Sequence, residues 1–383
     1  MFGNIFRNYV LPVSTLAGSI IGVGFFALPY VAMKAGIWIM LAYFLVVGGL
    51  VLLIHLIFGK ISLATPDYKR FPGFAEFYLG RWGKAISLAS VLFGSVGVLL
   101  IYLIVGGQFL TSIFQPVFGG DFFPYTLIYF SLASAAIYFG IRAVSKIEFS
   151  VIVFLFASLF LILISGFSQI KLSNIFLPAS GLGDWKAFFL PYGAVMFSLW
   201  GTGMIPEVEE MLGKKKKIIK KVIAASILTA AVFYLSFIFL ILGITGQKTT
   251  ESALSGLKNF LGHGAVLICL SAGVMSTFNG FIALGLTLKK VLIYDMGVKK
   301  NSAFIITCFT PWILFSLGLK SFIPLVSFIG GFLLGIDGIL ILLMYQKIAC
   351  LPAGRVGKNI TIWVLSFVFI LGIIYEIVYF VKN

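Results

Sequence analysis

The sequence predicts an all-α polytopic membrane protein of about eleven transmembrane helices, a 5+5 inverted repeat plus one extra helix. Three observations predict it. Apolar residues make up 61% of the 383 and charged residues only 10%, far from the balance of a soluble domain. The apolar residues are gathered into long runs, each near the roughly 20 residues that a helix needs to cross hydrocarbon. Two of those runs are interrupted by glycine pairs, Gly22-Val23-Gly24 and Gly201-Thr202-Gly203, about half the chain apart, each followed by a proline, Pro29 or Pro206.

The runs lie near 11–33, 36–59, 85–113, 122–141, 147–168, 187–206, 219–244, 262–288, 302–319, 322–346 and 359–381. The first is too long for a cleaved signal peptide and continues past Pro29 into further spans. Between spans 2 and 3, the segment from Lys60 to Lys84 holds Pro66, Pro72 and Gly73 and is polar enough to lie on the membrane surface. Spans 1 and 6 carry matching interruptions, so the chain divides into a first repeat, 11–168, and a second, 187–346. Five is odd, so the second repeat enters the membrane from the opposite face. Span 11, 359–381, is expected at the periphery of a single transporter-like domain covering 1–383.

A net charge of +16 raises the question of nucleic acid, but the placement of the charge answers it. With the N-terminus in the cytoplasm, about three-quarters of the basic residues fall in inner loops, among them Lys214 to Lys217, Lys220, Lys221, Lys289, Lys290, Lys299 and Lys300. The expectation is a multi-pass protein of the inner or plasma membrane with an external C-terminus, in contact with lipid, with no nucleic-acid partner and no obligate protein partner. Segment Lys214–Lys221 anchors that topology or touches anionic headgroups. Cys269, Cys308 and Cys350 are far apart with no CxxC spacing, and read as small apolar filler. His55 and His263 sit near span ends with no HExxH pattern. No metal site, cofactor or enzyme activity is expected.

The two interruptions carry chemistry. In Ala17-Gly18-Ser19-Ile20-Ile21-Gly22-Val23-Gly24-Phe25, glycines let backbone approach closely, and unwinding frees N–H groups at the start of the outer half-helix. Such a terminus attracts a carboxylate. In Phe197-Ser198-Leu199-Trp200-Gly201-Thr202-Gly203, freed carbonyls and amides can receive an ammonium. Close helix packing is the alternative use of such small residues. Two interruptions at equivalent repeat positions favour a substrate site at the bilayer midplane.

The span 1 string from Ala17 to Pro29 resembles the signature of amino acid permeases in the amino acid/polyamine/organocation superfamily. The resemblance is closest to the tryptophan/tyrosine permease and amino acid/auxin permease branch. Span 6, with Phe197-Ser198-Leu199-Trp200-Gly201 and Ile205-Pro206-Glu207, and span 8, from Ser276 to Leu286, are similar to that branch's patterns. The resemblance implies the LeuT fold, with helices 1 and 6 unwound, and a neutral, possibly aromatic, amino acid imported by ion-coupled symport with alternating access. It implies that Gly18, Gly22 and Gly24, with Ser19, receive the substrate carboxylate; Ala17 and Val23 of the same string are further substrate-binding candidates. It also implies that Phe197 covers the substrate and Trp200 contacts its side chain; Ser198, Gly201, Thr202 and Gly203 of the span 6 break are further substrate-binding candidates. For both aromatics, ordinary core or lipid contact is the other reading. Tyr102 of span 3 is a candidate to reach the same site from the facing wall.

For the coupling ion, H+ and Na+ both stand. Ser276 and Thr277 match a hydroxyl pair that completes a sodium site in related transporters, although such pairs also bond to their own helix backbone. Proton coupling needs an intramembrane titratable group. Asp337 in span 10 and Glu207 after Pro206 are the candidates. Glu376 and Glu148 are expected to snorkel from span ends, and Glu207 to Glu210 to form a solvated charged cluster with Lys214 to Lys217. A channel is disfavoured because no filter motif appears. A metal-ion transporter of the same fold would need an acid and a Met or His in the breaks, where only Met204 stands nearby. A substrate-sensing receptor built on this scaffold would be expected to add a soluble tail.

Overall fold

The computed structural model describes residues 9–67, 69–140, 144–176, 185–349 and 355–382. Of the residues singled out above, Cys350 lies outside them, as do the side chains of Glu148 and Lys214. The architecture is almost wholly helical. The helices are α1 Leu11–Ile20, α2 Leu28–Ala35, α3 Ile37–Ala64, α4 Phe71–Leu79, α5 Arg81–Phe118, α6 Phe122–Phe139 and α7 Val144–Gly166. There follow α8 Pro191–Leu199, α9 Ile205–Leu212, α10 Ile219–Thr245, α11 His263–Tyr294, α12 Lys300–Ser316, α13 Phe322–Phe328, α14 Leu334–Ala349 and α15 Arg355–Lys382.

These helices occupy the eleven expected places: α1 with α2 forms span 1, α8 with α9 span 6, and α13 with α14 span 10. Among the described residues, eight helices are long and apolar enough to cross a membrane alone, or nine with the bent pair of span 1 taken as one. The difference from eleven comes from the places of spans 5 and 9. In span 5, only the shorter apolar stretch Val153–Gln169 counts. Helix α12 in span 9 has 17 residues; at 1.5 Å per residue it is about 26 Å long, short of a hydrocarbon core of roughly 30 Å.

Local chemistry explains the interruptions. Pro29 and Pro206 do not break their helices; each lies in the first turn of the half-helix that follows, where a missing N–H costs nothing. The chain reverses from α2 into α3 at Gly36, whose φ of 89° only glycine adopts without strain. Helix α4, in the segment expected at the membrane surface, packs on α5 and α14. Span 10 contains one π-helical turn, Ile329–Leu333, against which α8 packs. The contact is backbone to backbone, because a Cβ on Gly330 would overlap the Gly193 carbonyl oxygen.

The last helix departs from expectation at Glu376. One face of α15 carries exposed Trp363, Phe367, Ile370 and Ile374, as a lipid-facing helix should. Its other face is core: Phe369 is buried beneath Gly338, and the Tyr192 ring packs on Gly372. Glu376 does not snorkel. It is fully buried, and Ser327 Oγ donates to its Oε1 at 2.8 Å. Gly193 and Gly331 supply the room, since a Cβ on Gly193 would lie 2.6 Å from that oxygen.

Candidate functional site

Span 1 breaks just after Ile20. Ile21, at φ −75° and ψ 73°, forms an inverse γ-turn in which Gly22 N–H donates to Ile20 O at 2.8 Å. The two halves then diverge by 50°. A 3₁₀ turn, Val23–Ala27, opens the second half, and its first N–H groups have no preceding turn to supply acceptors. Span 6 breaks at Trp200, which is extended (φ −79°, ψ 129°), and at Gly201 (φ −152°, ψ 21°), before a short turn Thr202–Met204 leads into α9.

Two side chains that the sequence reading did not single out for this role hold the breaks open. His55 is not near a span end; it is buried within α3. Its Nδ1 lies 2.8 Å from Val51 O and its Nε2 accepts from Gly201 N–H at 2.8 Å, a pairing that requires the Nδ1–H tautomer. The Trp200 ring meets the His55 ring edge-on at 5.4 Å. Tyr234 of α10, also buried, directs its hydroxyl at Ile20 O (2.7 Å) and Ser198 O (2.8 Å). The single phenolic proton is shared between carbonyls at the ends of α1 and α8, of which Ile20 O also accepts from Gly22 N–H. The sequence signal for both residues was a polar group set within an apolar span.

Tyr234→Phe removes that shared donor and nothing else. The expected result is about tenfold weaker substrate binding, from roughly 1–2 kcal/mol of lost hydrogen bonding at the paired breaks. Equilibrium binding and thermal unfolding of the purified variant check it.

The breaks touch each other. A Cβ on Gly24 would lie 2.6 Å from Phe197 Cδ1 and 2.8 Å from Ser198 Oγ, and a Cβ on Gly201 would lie 2.5 Å from Ile20 Cγ1. Ser198 Oγ is buried with no hydrogen-bond partner. Tyr102 is brought to the same place: its hydroxyl lies 3.5 Å from where a Gly22 Cβ would stand, and its ring rests on Gly280 of α11. Gly22, Gly24, Tyr102, Phe197, Ser198, Trp200 and Gly201 therefore form one constellation. Ala17 and Val23 are buried in its wall, Gly18 is half-buried beside them, and Thr202 is buried below.

Access is one-sided. Ser19, Gly203 and Glu207 are exposed, and Gly22, Phe197, Trp200 and Gly201 half-buried, so the constellation is reached from the α1 and α9 side. Ser19 Oγ donates to Leu16 O of its own helix at 2.8 Å. On the α2 side an aromatic plug closes the path. Phe25 meets Phe26 in a tilted contact at 4.0 Å and Phe237 edge-on at 4.9 Å, and Phe26 meets Phe109 edge-on at 5.0 Å.

The ion-coupling candidates scatter. Ser276 and Thr277 are buried on α11, a helix that touches the 3₁₀ turn of span 1, and Thr277 Oγ1 donates within its own helix to Gly273 O and Val274 O, both at 3.0 Å. Asp337 is buried, faces Ser90 of α5, and leaves Oδ1 without a partner. Glu207 is exposed at the mouth, as is Glu210. Glu209 is not part of a solvated cluster. It is only 3% exposed, accepts from Ser62 of α3, and pairs with Lys216 Nζ at 2.6 Å, so α9 is latched to the end of α3.

Two mutually packed helix breaks within this helical bundle define a transporter of the LeuT fold. Solved structures agree: the chain superposes on MhsT in complex with L-phenylalanine with a TM-score of 0.61 at 14% identity, covering 96% of this chain and 98% of that one. It also superposes on Mhp1, a nucleobase-cation-symport-1 family transporter in a closed conformation with bromovinylhydantoin bound, with a TM-score of 0.64 at 12% identity, covering 96% and 91%. The chain belongs to the tryptophan/tyrosine permease family, whose profile matches residues 7–330. A curated relative, the low affinity tryptophan permease of Escherichia coli O157:H7, is 25% identical over 299 residues, 72% of this chain and 70% of that protein. The protein is thus an amino acid transporter of the membrane, not an enzyme.

Proposed function

We propose that the protein imports a neutral aromatic amino acid, with L-tryptophan the first candidate, by ion-coupled symport. The observation that carries this reading is the contact of Gly24 with Phe197 and Ser198, which sets the N–H groups opening the second half of span 1 beside the break in span 6. A zwitterion fits such a place: the N–H groups of Val23 and Gly24 receive the carboxylate, and the carbonyls near Ile20 and Ser198 receive the ammonium. None of the residues forming the constellation carries a formal charge, which disfavours a cationic substrate, since a buried cation wants a paired charge. Phe197, Trp200 and Tyr102 offer an aromatic surface for the side chain. The names of the E. coli relative and of the L-phenylalanine complex support the same substrate class.

The basic inner loops support a cytoplasmic N-terminus. On that orientation the α1 and α9 side faces the cytoplasm, and the aromatic plug closes the external path in an inward-facing state. The reading is tested by uptake of an amino acid panel into proteoliposomes under imposed pH or sodium gradients. Gradient-driven accumulation of L-tryptophan, L-tyrosine or L-phenylalanine is expected; accumulation of none of them contradicts the reading. In the same assay Ser276→Ala combined with Thr277→Ala removes sodium dependence if sodium is the coupling ion, and leaves a proton-driven carrier proton-driven.

A further inference from the structure

The buried carboxyl of the last helix has no role in the constellation described above. Glu376 is fully enclosed, with Oε1 accepting from Ser327 Oγ at 2.8 Å and Oε2 without a hydrogen-bond partner. Its pocket is cut by glycines, for a Cβ on Gly331 would stand 2.8 Å from Glu376 Oε1. The titratable groups that face it are phenols: Tyr192 of α8, whose buried hydroxyl is also unpaired, and Tyr43 of α3. Ser327 and the π-helical turn of span 10 add no charge. On its own helix, Tyr375 directs its hydroxyl away, to the carbonyl of Lys186 at 3.2 Å. Among the described residues no salt bridge reaches Glu376.

The position matters as much as the chemistry. The glycine contact of Gly193 with Gly330 joins α8 to the π-helical turn at the same spot, and the Phe197 Cβ lies 2.9 Å from where a Gly330 Cβ would be. Glu376 therefore touches the backbone junction on which the first half of span 6, and with it Phe197, is seated. π-Helical turns are rare and recur at functional sites. An unpaired buried carboxylate costs desolvation free energy that a bound proton removes, so a proton is the ligand this site fits.

We propose that Glu376 binds and releases the proton coupled to substrate movement, so that the state of its carboxyl sets how α15 and the π-helical turn seat α8. The O–H bond forms with a proton from external water and breaks with its release to the cytoplasm; no other bond changes. This rests on the symport reading above.

The test is L-tryptophan transport in proteoliposomes by wild type and Glu376→Gln. Wild type is expected to accumulate substrate on a pH gradient. Glu376→Gln is expected to lose that accumulation while retaining tryptophan counterflow, with the pH dependence of exchange flattened. Accumulation at wild-type level by Glu376→Gln overturns the proposal, as does wild-type accumulation driven by sodium alone. If wild type moves no aromatic amino acid even in counterflow, the symport reading fails instead. Should Glu376→Gln not fold, Ser327→Ala decides: it removes the donor to Oε1, so the pH profile of exchange must shift, and an unshifted profile overturns the proposal.

Discussion

In Gly24→Leu, binding and uptake of L-tryptophan are expected to fall to background. Even the first added carbon would lie 2.6 Å from Phe197 Cδ1 and 2.8 Å from Ser198 Oγ, closer than non-bonded atoms tolerate. Forcing extra methylenes into a packed site costs about 1–3 kcal/mol or more. A leucine here lies at the upper end, so affinity drops by roughly 100-fold or beyond. The control is Gly22→Ala. Its added methyl meets the Tyr102 hydroxyl at 3.5 Å and the Ile20 carbonyl oxygen at 3.9 Å, both ordinary contacts, so uptake is expected to persist. Glycine at the two positions thus serves different ends, and Gly24 is the tighter one. Gly201→Leu is expected to behave like Gly24→Leu, because its Cβ would stand 2.5 Å from Ile20 Cγ1. Binding isotherms on detergent-purified variants, with gel-filtration profiles to show folding, separate loss of the site from loss of the protein.

The second large effect is expected at His55. His55→Leu keeps apolar volume in α3 but leaves the Gly201 N–H without its acceptor. An unsatisfied buried donor costs about 1–3 kcal/mol, and that cost falls on the broken form of span 6. If only the broken form binds, apparent affinity falls in proportion to its population, about 10- to 100-fold. His55→Gln returns a carbonyl acceptor near the position of Nε2 and is expected to recover part of the loss. Equal binding by His55→Leu and wild type would show that Gly201 needs no acceptor. Equal failure by the Leu and Gln variants would assign His55 to packing against Trp200 rather than to the hydrogen bond.

The breaks themselves were legible because glycine and proline act through the backbone at their own positions. Gly22 and Gly201 each mark a change of course within a residue or two, and Pro29 and Pro206 each stand in the first turn of the α-helix that follows. The constellation was legible in part, since Phe197, Ser198 and Tyr102 do converge on Gly22 and Gly24. What holds it was not, because the partners come from other spans. His55 and Tyr234 look in sequence like polar residues in apolar runs, and only the fold turns them toward Gly201, Ile20 and Ser198. Glu376 was misjudged for a related reason. Its distance from a span end suggested snorkelling, but burial is set by helix rotation, and Gly372 and Glu376 face Tyr192 and Gly193 one turn apart. A row of small residues in spans 6, 10 and 11, including Gly193, Gly331, Gly338 and Gly372, was the available sign that these helices pack backbone to backbone.

A structure of the protein with L-tryptophan bound is the decisive measurement. The zwitterion cradle predicts ligand density between the two helix breaks, its carboxylate within hydrogen-bond reach of the Val23 and Gly24 N–H groups and its ring against Phe197 or Trp200. Density for the ligand elsewhere in the bundle, or spans 1 and 6 continuous through their glycine pairs in the bound state, would contradict it.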